Sequence, residues 1–572
     1  MRQPKSNIFF TADFETNNSE EAITNNASFV WLWDICDKKQ DRYIHYSGHS
    51  IDTFINFLAN FMPSSRIWFH NLKFDGNFII SYLLQNSFTW LPYEKKMTNG
   101  TFKTLISFNK IFYSIKVKLN NKTFEFVDSS KKITGTVEEI AKSWGLPILK
   151  GEIDYTKDRQ LGYIPSLEEY AYIHNDTEII YRVMEYEYED GLTQMTTASD
   201  CLALFKETIG GDKMYRSLFP ELTIEEDNYI RKAYRGGFCW VNPKFKGKVL
   251  SNIHVFDENS MYPDKMYNKP LPYGKPIFYQ GKYKESVVYN LYIQHIKVAC
   301  NLKDDGIPCI LLHSQIFQSE YLVSTKNEMI DLYLTSIDLK LLFDNYEVQD
   351  IEYIDGVAFK SNNKLFRKYI EPIYISKCNT KGSEKMLAKL KLNGLYGKFA
   401  SNPINYIIEP KLNEKGIVTY IVSGSEYSAP EYTGLSCFVT AYSREDIVYI
   451  LKANKDYAVY CDTDSAHLLE GFDPSTIKQD SKKLGYYKLE RVLFKAKYLA
   501  QKTYYGFEQM ENKVVEYKKI CGASKEVKSN ITFKRFNFGE EFEGKLVPKI
   551  VRGGVVLVNT TFTLKERKKG LI

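Results

Sequence analysis

Tyr457-Ala-Val-Tyr-Cys-Asp-Thr-Asp-Ser-Ala-His-Leu-Leu469 joins two apolar runs through a pair of acids, Asp462 and Asp464. Aspartate suits tight turns, so this stretch predicts a hairpin of two strands. An ordinary turn explains the two acids when they are taken alone. With a third acid from a distant strand, the same residues would hold two Mg²⁺ ions around a nucleoside triphosphate.

A third acid is available in Ile253-His-Val-Phe-Asp-Glu-Asn-Ser-Met-Tyr-Pro263, an apolar run that delivers Asp257 and then turns at a proline. The run predicts a strand over residues 253–257. Carboxylate oxygens are the ligands that Mg²⁺ prefers in proteins. Asp257, Asp462 and Asp464 are therefore candidate metal ligands of one site.

A lysine-rich helix is predicted between these two segments, over residues 382–398. Residues at i, i+4 and i+8 share one face of a helix. That face carries two cations, an amide and a ring: Lys385, Lys389, Asn393 and Tyr396. Aligned lysines repel one another unless an anion bridges them, and a triphosphate is such an anion. A solvated face explains any one of these lysines, and Lys377 joins the face only if the helix begins before Gly382.

The first third of the chain offers a second set of acids. Asn7-Ile-Phe-Phe-Thr-Ala-Asp-Phe-Glu15 predicts a strand, and the alternation of strand side chains places Asp13 and Glu15 on one face. Like charges on one face favour a divalent cation between them. The alternative is a pair of exposed surface acids, which is the commoner situation.

Two further acids follow along the chain. Asp75 lies in His70-Asn-Leu-Lys-Phe-Asp-Gly76, and Ser166-Leu-Glu-Glu169 is a capping box that predicts a helix from the next residue on. Tyr172 and Asp176 lie one turn apart on that helix. With the acids of the first strand, these are the parts of a two-metal phosphodiester hydrolase in which Tyr172 orients the water. A capped amphipathic helix is the plainer explanation of Tyr172 and Asp176.

These motifs, in this order, resemble the motifs of family B DNA polymerases. D-x-E, N-x-x-F-D and Y-x-x-x-D resemble the three exonuclease motifs of the proofreading members, and D-x-x-S-x-Y-P and Y-x-D-T-D-S resemble polymerase motifs A and C. The helix resembles motif B, with Gly394 where serine is usual. Lys150-Gly-Glu-Ile-Asp-Tyr155 resembles an element that supports the exonuclease, with Glu152 where aspartate is usual.

The resemblance implies a role for each matched residue. Metal ligands would be Asp13, Glu15 and Asp176 in the exonuclease, and Asp257, Asp462 and Asp464 in the polymerase. Asp75, Tyr172 and Lys150 would complete the exonuclease catalytic set. Each active site would use two Mg²⁺ ions, or Mn²⁺ in their place. Incoming nucleotide would be contacted by Lys377, Lys385, Lys389, Asn393, Tyr262 and Tyr396, with Tyr262 excluding a 2′-hydroxyl.

Two more motifs narrow the resemblance to one branch. Tyr234-Arg-Gly-Gly-Phe238 resembles the Y-x-G-G motif that coordinates synthesis with editing, through Tyr234, Gly236 and Gly237. Lys502-Thr-Tyr504 resembles the K-x-Y motif, with Lys502 and Tyr504 near the primer terminus. Together they match the protein-primed polymerases of small bacteriophages, the phi twenty-nine-like group. In that branch, Asn71, Phe74 and Ser129 would hold the single-stranded 3′ end.

The fold class implied is an α/β and α+β multidomain chain, with an RNase-H-like 3′–5′ exonuclease domain and a right-hand polymerase. Pattern changes suggest insertions in stretches that read as turn-rich, 269–361 and 401–433, and a turn-rich block after Gly191. The expected domains are exonuclease 1–195, first part of the palm 196–268, a terminal-protein-binding insertion 269–361, fingers 362–400, a second insertion for strand displacement and processivity 401–433, second part of the palm 434–529 and thumb 530–572.

Composition agrees with a globular protein that binds a polyanion. The chain has 572 residues, of which 44% are hydrophobic and 26% are charged, and no apolar run is long enough to span a membrane. Residues 478–572 hold 22 Lys and Arg against 10 Asp and Glu, a balance of +12 in a chain of net charge +6. Nine cysteines without a C-x-x-C pair argue against a disulfide framework or a zinc site and for a reducing compartment.

The resemblance to the protein-primed polymerases therefore implies a DNA polymerase with a proofreading exonuclease, acting in the cytoplasm of an infected bacterial host. Its expected partners are template and primer DNA, deoxynucleoside triphosphates and a terminal protein that serves as primer, with no membrane. A monomer or a heterodimer with the terminal protein is expected. The alternatives are a family B polymerase restricted to nucleic-acid primers and a non-catalytic DNA-binding replication scaffold.

Overall fold

The structure, a computed structural model, describes residues 8–154, 157–160, 162–312 and 320–566. Its N-terminal part is a mixed sheet of eight strands in the order β3-β2-β1-β4-β8-β7-β6-β5. The strands are β1 (Phe9–Thr16), β2 (Val30–Lys39), β3 (Arg42–Gly48), β4 (Ser65–Phe69), β5 (Thr89–Trp90), β6 (Thr101–Ile106), β7 (Phe112–Leu119) and β8 (Lys122–Asp128). The strand expected over 7–15 is thus observed as β1, and Asn7 lies outside the described residues.

Five helices accompany this sheet: α1 (Glu20–Thr24), α2 (Ile51–Phe61), α3 (Leu72–Gln85), α4 (Val137–Trp144) and α5 (Leu167–Glu189). Phe10, Ala12 and Phe14 of β1 belong to the core that also contains α2 and α3. The alternate residue Thr11 contacts α5 instead. The capping box predicted at Ser166 is confirmed, since its hydroxyl accepts from the Glu169 N–H and that glutamate returns the bond.

The block after Gly191 is helical, which contradicts the turn-rich expectation. It holds α6 (Thr197–Thr208), α7 (Asp212–Leu218) and α8 (Ile224–Arg231). Each of these helices is short, and α6 and α8 begin at Thr196 and Thr223, which accept from the backbone N–H three residues later. The many Thr, Asp and Gly residues here are helix caps and connections between helices.

The next segment contributes the first strands of a second sheet and then forms a separate sheet of its own. Its first elements are β9 (Cys239–Val241), β10 (Val249–Leu250), β11 (Ile253–Glu258) and α9 (Met261–Asn268). A separate four-stranded sheet follows, in the order β12-β17-β13-β16. Its elements, with a small hairpin β14–β15, are β12 (Leu271–Gln280), β13 (Leu291–Leu302), β14 (Leu311–Leu312), β15 (Glu320–Tyr321), β16 (Ile330–Thr335), α10 (Ser336–Asn345) and β17 (Tyr346–Asn362).

The turn-rich expectation for 269–361 is therefore also wrong. Asp355-Gly356, a dipeptide typical of turns, lies inside the long strand β17 and pairs with both β12 and β13. Pairing on both edges of the strand outweighs the local preference.

The lysine-rich region forms two helices, α11 (Arg367–Asn379) and α12 (Gly382–Gly394), so α12 ends four residues before the predicted Lys398. Lys377 lies on α11, and Tyr396 lies in a short 3₁₀ turn after α12. A hairpin, β18 (Ile404–Leu412) with β19 (Val418–Tyr427), occupies most of the 401–433 stretch that was expected to be turn-rich.

The second sheet is completed by the C-terminal third. Its elements are α13 (Thr433–Ala453), β20 (Ala458–Asp462), β21 (Ser465–Leu469), β22 (Tyr487–Ala500), β23 (Thr503–Met510), β24 (Lys513–Ile520) and α14 (Lys525–Asn530), before a last hairpin of β25 (Glu541–Val551) and β26 (Gly554–Thr563). The strand order is β24-β23-β22-β11-β21-β20-β9, with β10 beside β22. The predicted hairpin over 457–469 is thus confirmed as β20–β21.

Both late hairpins pack on the N-terminal sheet. The Tyr420 hydroxyl of β19 donates to Asn77 Oδ1 of α3 at 2.6 Å. Arg552, between β25 and β26, exchanges backbone hydrogen bonds with Asn26 and Ser28. No helix among the described residues is both long and apolar enough to cross a membrane.

A buried ion cluster joins α5 and α6. Lys132 Nζ lies 2.8 Å from Glu187 Oε2 and 2.7 Å from Asp200 Oδ2, with all three side chains at most 2% exposed. Burial raises the pKa of Glu187 to about 7, which Lys132 opposes. The positive charge of Lys132 therefore offsets the negative charge of the two buried acids, Glu187 and Asp200.

Lys132→Met should leave two buried acids without their cation and destabilise the N-terminal half by about 3–5 kcal/mol. We expect a fall of several degrees in the midpoint of thermal unfolding. Lys142→Met is the matched control, because Lys142 is 61% exposed and pairs only with Glu138. Equal midpoints for the two variants would contradict the role given to Lys132.

Candidate functional site

Four acids of the N-terminal sheet converge from three elements. Asp13 and Glu15 lie on β1, Asp75 on α3 and Asp176 on α5. Glu15, Asp75 and Asp176 are each at most 7% exposed. The sequence predicted this set, and the structure brings all four together.

Burial and mutual repulsion dominate the electrostatics of these acids. Burial, and then the Asp176 carboxylate, raises the pKa of Asp13 to about 7. Burial, and then the charge of Asp13, raises the pKa of Glu15 and of Asp75 well above their usual ranges. Asp75 Oδ1 and Asp176 Oδ1 are buried without a hydrogen-bond partner. Clustered, unpaired carboxylate oxygens are the ligands that a hard divalent cation takes, so the residues fit such a cation.

Lys150 is the cation supplied by the chain itself. Its Nζ donates to Asp176 Oδ2 at 2.6 Å and lies 5.0 Å from the centre of the Tyr172 ring. Hydrogen bonds from Lys150 and Tyr172 counter the effect of burial, which raises the pKa of Asp176. The predicted grouping of Lys150 with Tyr172 and Asp176 is thus present. Glu152 is exposed, and Tyr155 lies outside the described residues.

A cavity of about 260 Å³ opens beside these acids, lined by Asp13, Asn71, Lys150 and Asp176 among others. Ser129 is fully buried and its hydroxyl lies 3.0 Å from His70 Nδ1. Phe74 is partly buried, with its ring centre 5.9 Å from that of Phe78. Asn71 therefore borders the cavity directly, whereas the contacts observed for Ser129 and Phe74 are with other protein side chains.

A second set of acids lies on the central strands of the second sheet. Asp257 ends the apolar run of β11, and Asp462 and Asp464 flank the β20–β21 turn at Thr463, whose φ is +66°. The Glu258 N–H donates to the Asp464 carbonyl at 2.8 Å, which fixes the two strands relative to each other. Burial, and then Asp464, raises the pKa of Asp257 to about 6. Burial also raises the pKa of Asp464.

Two lysines approach this second set. Lys502, the lysine of the K-x-Y motif, has its Nζ 2.5 Å from Asp462 Oδ1. The other residue of that motif, Tyr504, stacks on Tyr498. Lys488 Nζ lies 3.6 Å from Asp257 Oδ2. Sequence reasoning missed Lys488 because no motif contains it and only the pairing of β22 with β11 brings it there.

Two tyrosines stack above the acids. The rings of Tyr262 and Tyr396 lie face to face, with centres 3.9 Å apart. Gly237 approaches the same place, because a Cβ at this position would lie 2.6 Å from Thr463 Cγ2 and 3.1 Å from the Tyr262 hydroxyl. Glycine at 237 therefore allows the loop 234–238 to touch the acidic turn. A Cβ at the other predicted glycine, Gly236, would meet no atom within 4 Å.

The predicted lysine face lies on α12, which carries Lys385, Lys389 and Asn393, whereas Lys377 lies on the preceding helix α11. Lys377 Nζ of α11 donates to Ser260 Oγ at 2.6 Å. Burial lowers the pKa of Lys377, and the positive charges of Lys389, Lys488 and Lys385 lower it further. A partly buried lysine among lysines is an anion site in electrostatic terms. Asn393 is exposed on α12.

Gly394, the departure from the motif B pattern, has a steric reason. A Cβ here would lie 2.6 Å from the Cys201 thiol sulphur and 3.1 Å from Thr197 Cγ2, both on α6. Cys201 is fully buried and its thiol donates to the Leu390 carbonyl of α12 at 3.6 Å. The thiol of α6 thus occupies space that a serine side chain would need.

The comparisons with known proteins agree with this geometry. A family profile described as DNA polymerase type B, organellar and viral, matches residues 165–483. The DNA polymerase of Bacillus phage M2 is 39% identical, over 98% of this chain and 100% of that protein. The DNA polymerase of Streptococcus phage Cp-1 is 32% identical, over 98% of this chain and 99% of that protein.

Solved structures of Phi29 DNA polymerase are similar to the whole chain. The complex with primer-template DNA and incoming nucleotide substrates matches with a TM-score of 0.90 and 38% identity, covering 97% of this chain and 100% of that one. The complex with single-stranded DNA matches with the same TM-score and 37% identity over the same shares of the two chains. The expected fold class, an exonuclease domain with a right-hand polymerase, is confirmed by these matches.

Cation binding at the N-terminal acids should strengthen as the pH rises. Asp13 has a pKa of about 7 without a cation, so a bound cation must displace its proton below that pH. Calorimetric titration of an Asp257→Asn/Asp464→Asn protein with Mn²⁺, in two buffers of different ionisation enthalpy, should show tighter binding at about pH 8 than at about pH 6 with proton release. Affinity that does not change with pH would contradict the raised pKa.

Gly394→Ser should destabilise the packing of α12 on α6 by about 1–3 kcal/mol, because the new side chain overlaps the Cys201 thiol. Adding Cys201→Ala should recover most of that loss, measured as the midpoint of thermal unfolding. Gly397→Ala is the control, since a Cβ there would meet no atom within 4 Å. Strictly additive effects of Gly394→Ser and Cys201→Ala would refute the contact.

Proposed function

Because the chain belongs to the type B DNA polymerases of organelles and viruses, and is thus a DNA-directed DNA polymerase, we propose that it also proofreads and starts synthesis on a protein. In this proposal, Mg²⁺ serves both active sites and a deoxynucleotide is joined to a terminal protein before strand-displacing elongation. The protein would act in the cytoplasm of a phage-infected bacterium, because its relatives are phage polymerases.

One observation carries the proposal of two activities. Two sets of buried or partly buried acids gather at two different sheets, each with a lysine beside it: Lys150 at Asp176 and Lys502 at Asp462. A protein that only bound DNA would gain nothing from burying so many like charges, whose desolvation is costly. Each set is explained if divalent cations and a phosphate chain complete it.

Synthesis would take place at the second sheet. Asp257, Asp462 and Asp464 would hold Mg²⁺, which lowers the pKa of an attacking hydroxyl and neutralises the leaving pyrophosphate. Lys377 and its neighbours on α12 would bind the triphosphate. The stacked pair of Tyr262 and Tyr396 would form the wall against the sugar, where the Tyr262 ring leaves no room for a 2′-hydroxyl.

Degradation would take place at the first sheet. Asp13, Glu15 and Asp176 would hold the cations, with Asp75 beside them. Tyr172, adjacent to Asp176, would orient the attacking water, and Lys150 would hold the Asp176 carboxylate in place. Asn71, at the cavity, would contact the 3′ end. Phe74 and Ser129 stay as predicted contacts of the strand.

The choice of primer rests on the relatives. The structural neighbours are complexes with single-stranded DNA and with primer-template DNA and nucleotides, and these become the expected substrates of this chain. The sheet within 269–361 would bind the terminal protein. The β18–β19 hairpin would separate the two DNA strands, because it packs on the N-terminal sheet, which also borders the exonuclease cavity. The domain boundaries remain predictions, as does a monomer or a heterodimer with the terminal protein.

The first experiment uses an end-labelled, recessed primer–template with Mg²⁺. With the four deoxynucleotides the primer should lengthen, and without them it should shorten in steps. Incubating the enzyme with its phage's terminal protein and a labelled deoxynucleotide then tests priming. Label that stays off the protein would favour the alternative, a family B polymerase restricted to nucleic-acid primers.

The two active sites should be separable by mutation. Asp464→Ala should abolish extension and leave shortening intact, and Asp13→Ala should do the reverse, because the acids lie on different sheets. Both reactions are followed on the same gel with the same protein preparation. Loss of both activities in either variant would disprove two independent sites.

A further inference from the structure

Asp34 is a fully buried acid that none of the sequence motifs contains. It lies on β2 directly opposite Asp13 of β1 in the strand register. A buried carboxylate beside the exonuclease acids raises the local cost of negative charge. Its presence there therefore needs a physical reason.

The hydrogen bonds of Asp34 show what it does. Oδ2 accepts from the Thr177 hydroxyl at 2.5 Å and lies 2.9 Å from His45 Nδ1, and Oδ1 accepts from the Ser47 hydroxyl at 2.8 Å. Burial disfavours a charged His45, but its bonds to Asp34 and Glu178 outweigh this and raise its pKa to about 9. His45 is thus a counter-ion that Asp34 shares with Glu178.

Thr177 is held from both strands at once. Its hydroxyl bonds to Asp34 of β2, and its carbonyl accepts from the Thr11 hydroxyl of β1 at 2.7 Å. All three side chains are at most 1% exposed. Thr177 directly follows Asp176, and Thr11 is two residues before Asp13. These bonds therefore fasten α5 to the sheet beside both ligands.

The fastening opposes a definite force. Asp13 and Asp176 are carboxylates that line the same cavity, so their like charges repel each other. Without a restraint, repulsion would move the helix that carries Asp176 away from the strand that carries Asp13. Cation binding would then have to bring the two carboxylates back together, which would lower the affinity for the cation.

We propose that Asp34 and Thr177 are positioning residues of the exonuclease, which hold Asp176 at the distance from Asp13 that cation binding requires. The inference rests on the proposed exonuclease function. Residues that orient metal ligands typically change metal affinity or activity by about 10–100-fold when they are removed.

The test is Thr177→Val, which keeps the shape of the side chain and removes the hydroxyl. The rate of shortening of single-stranded DNA should fall at least about tenfold, and the Mg²⁺ concentration for half the maximal rate should rise. The KM for DNA and the rate of primer extension should not change. Thr177→Ser, which restores the hydroxyl, should recover the wild-type rate and Mg²⁺ dependence.

Two further variants complete the design. Thr440→Val is the matched control, because the Thr440 hydroxyl is equally buried and donates only to carbonyls of its own helix. Thr11→Val removes the second bond from a different element and should give the same split between shortening and extension. If Thr177→Val also loses extension, the Thr11→Val protein shows whether that loss is a folding defect of the Thr177→Val protein alone.

The outcomes are distinct. Wild-type rates and Mg²⁺ dependence in Thr177→Val would overturn the positioning role, as would a Thr177→Ser protein as slow as Thr177→Val. Loss of extension and shortening together in both Thr177→Val and Thr11→Val would show a general folding role and would also overturn it. A wild-type protein that extends primers but shortens none would instead refute the proposed exonuclease.

Discussion

The structure depends on the burial of like-charged carboxylates at two places. Desolvation and mutual repulsion raise the pKa of Asp13 to about 7 and that of Asp257 to about 6. Neither site is stable as a bare cluster of anions, because buried charges must be paired or must coordinate a metal. The fold meets this constraint in one way at both sites. At each site, acids from different elements meet and lysine side chains offset part of their charge.

The two sites differ in what surrounds them, and the difference is the one that the two proposed activities would require. The exonuclease acids adjoin a cavity of about 260 Å³ and one lysine, Lys150, as suits a single phosphodiester and a water molecule. The polymerase acids adjoin lysines from three elements and a pair of stacked tyrosines. That arrangement suits a nucleoside triphosphate, which carries more negative charge than a single phosphodiester and has a base that can stack on an aromatic ring. The C-terminal hairpin and the β18–β19 hairpin tie both halves into one body through contacts with the first sheet.

Local sequence rules predicted the elements that carry chemistry and failed elsewhere for identifiable reasons. The β20–β21 hairpin and the start of α5 at a capping box follow from residues within a few positions of each other. The stretch 269–361 was misjudged because Asp355-Gly356 is a turn signal locally, whereas pairing on both edges of β17 decides its conformation. Lys377 lies on α11 and not on the predicted helix, so its convergence with Lys389 is tertiary.

The sequence by itself determined which acids, lysines and tyrosines are available and the order in which the chain presents them. Those features depend on side-chain chemistry and on short-range backbone preferences. Only the tertiary structure decided which groups meet. Lys488 reaches Asp257 through strand pairing, Gly394 faces the Cys201 thiol through helix packing, and Thr177 is held between Thr11 and Asp34. Each of these contacts joins residues far apart in the chain, and their distances are set by how whole elements pack, which no local pattern encodes.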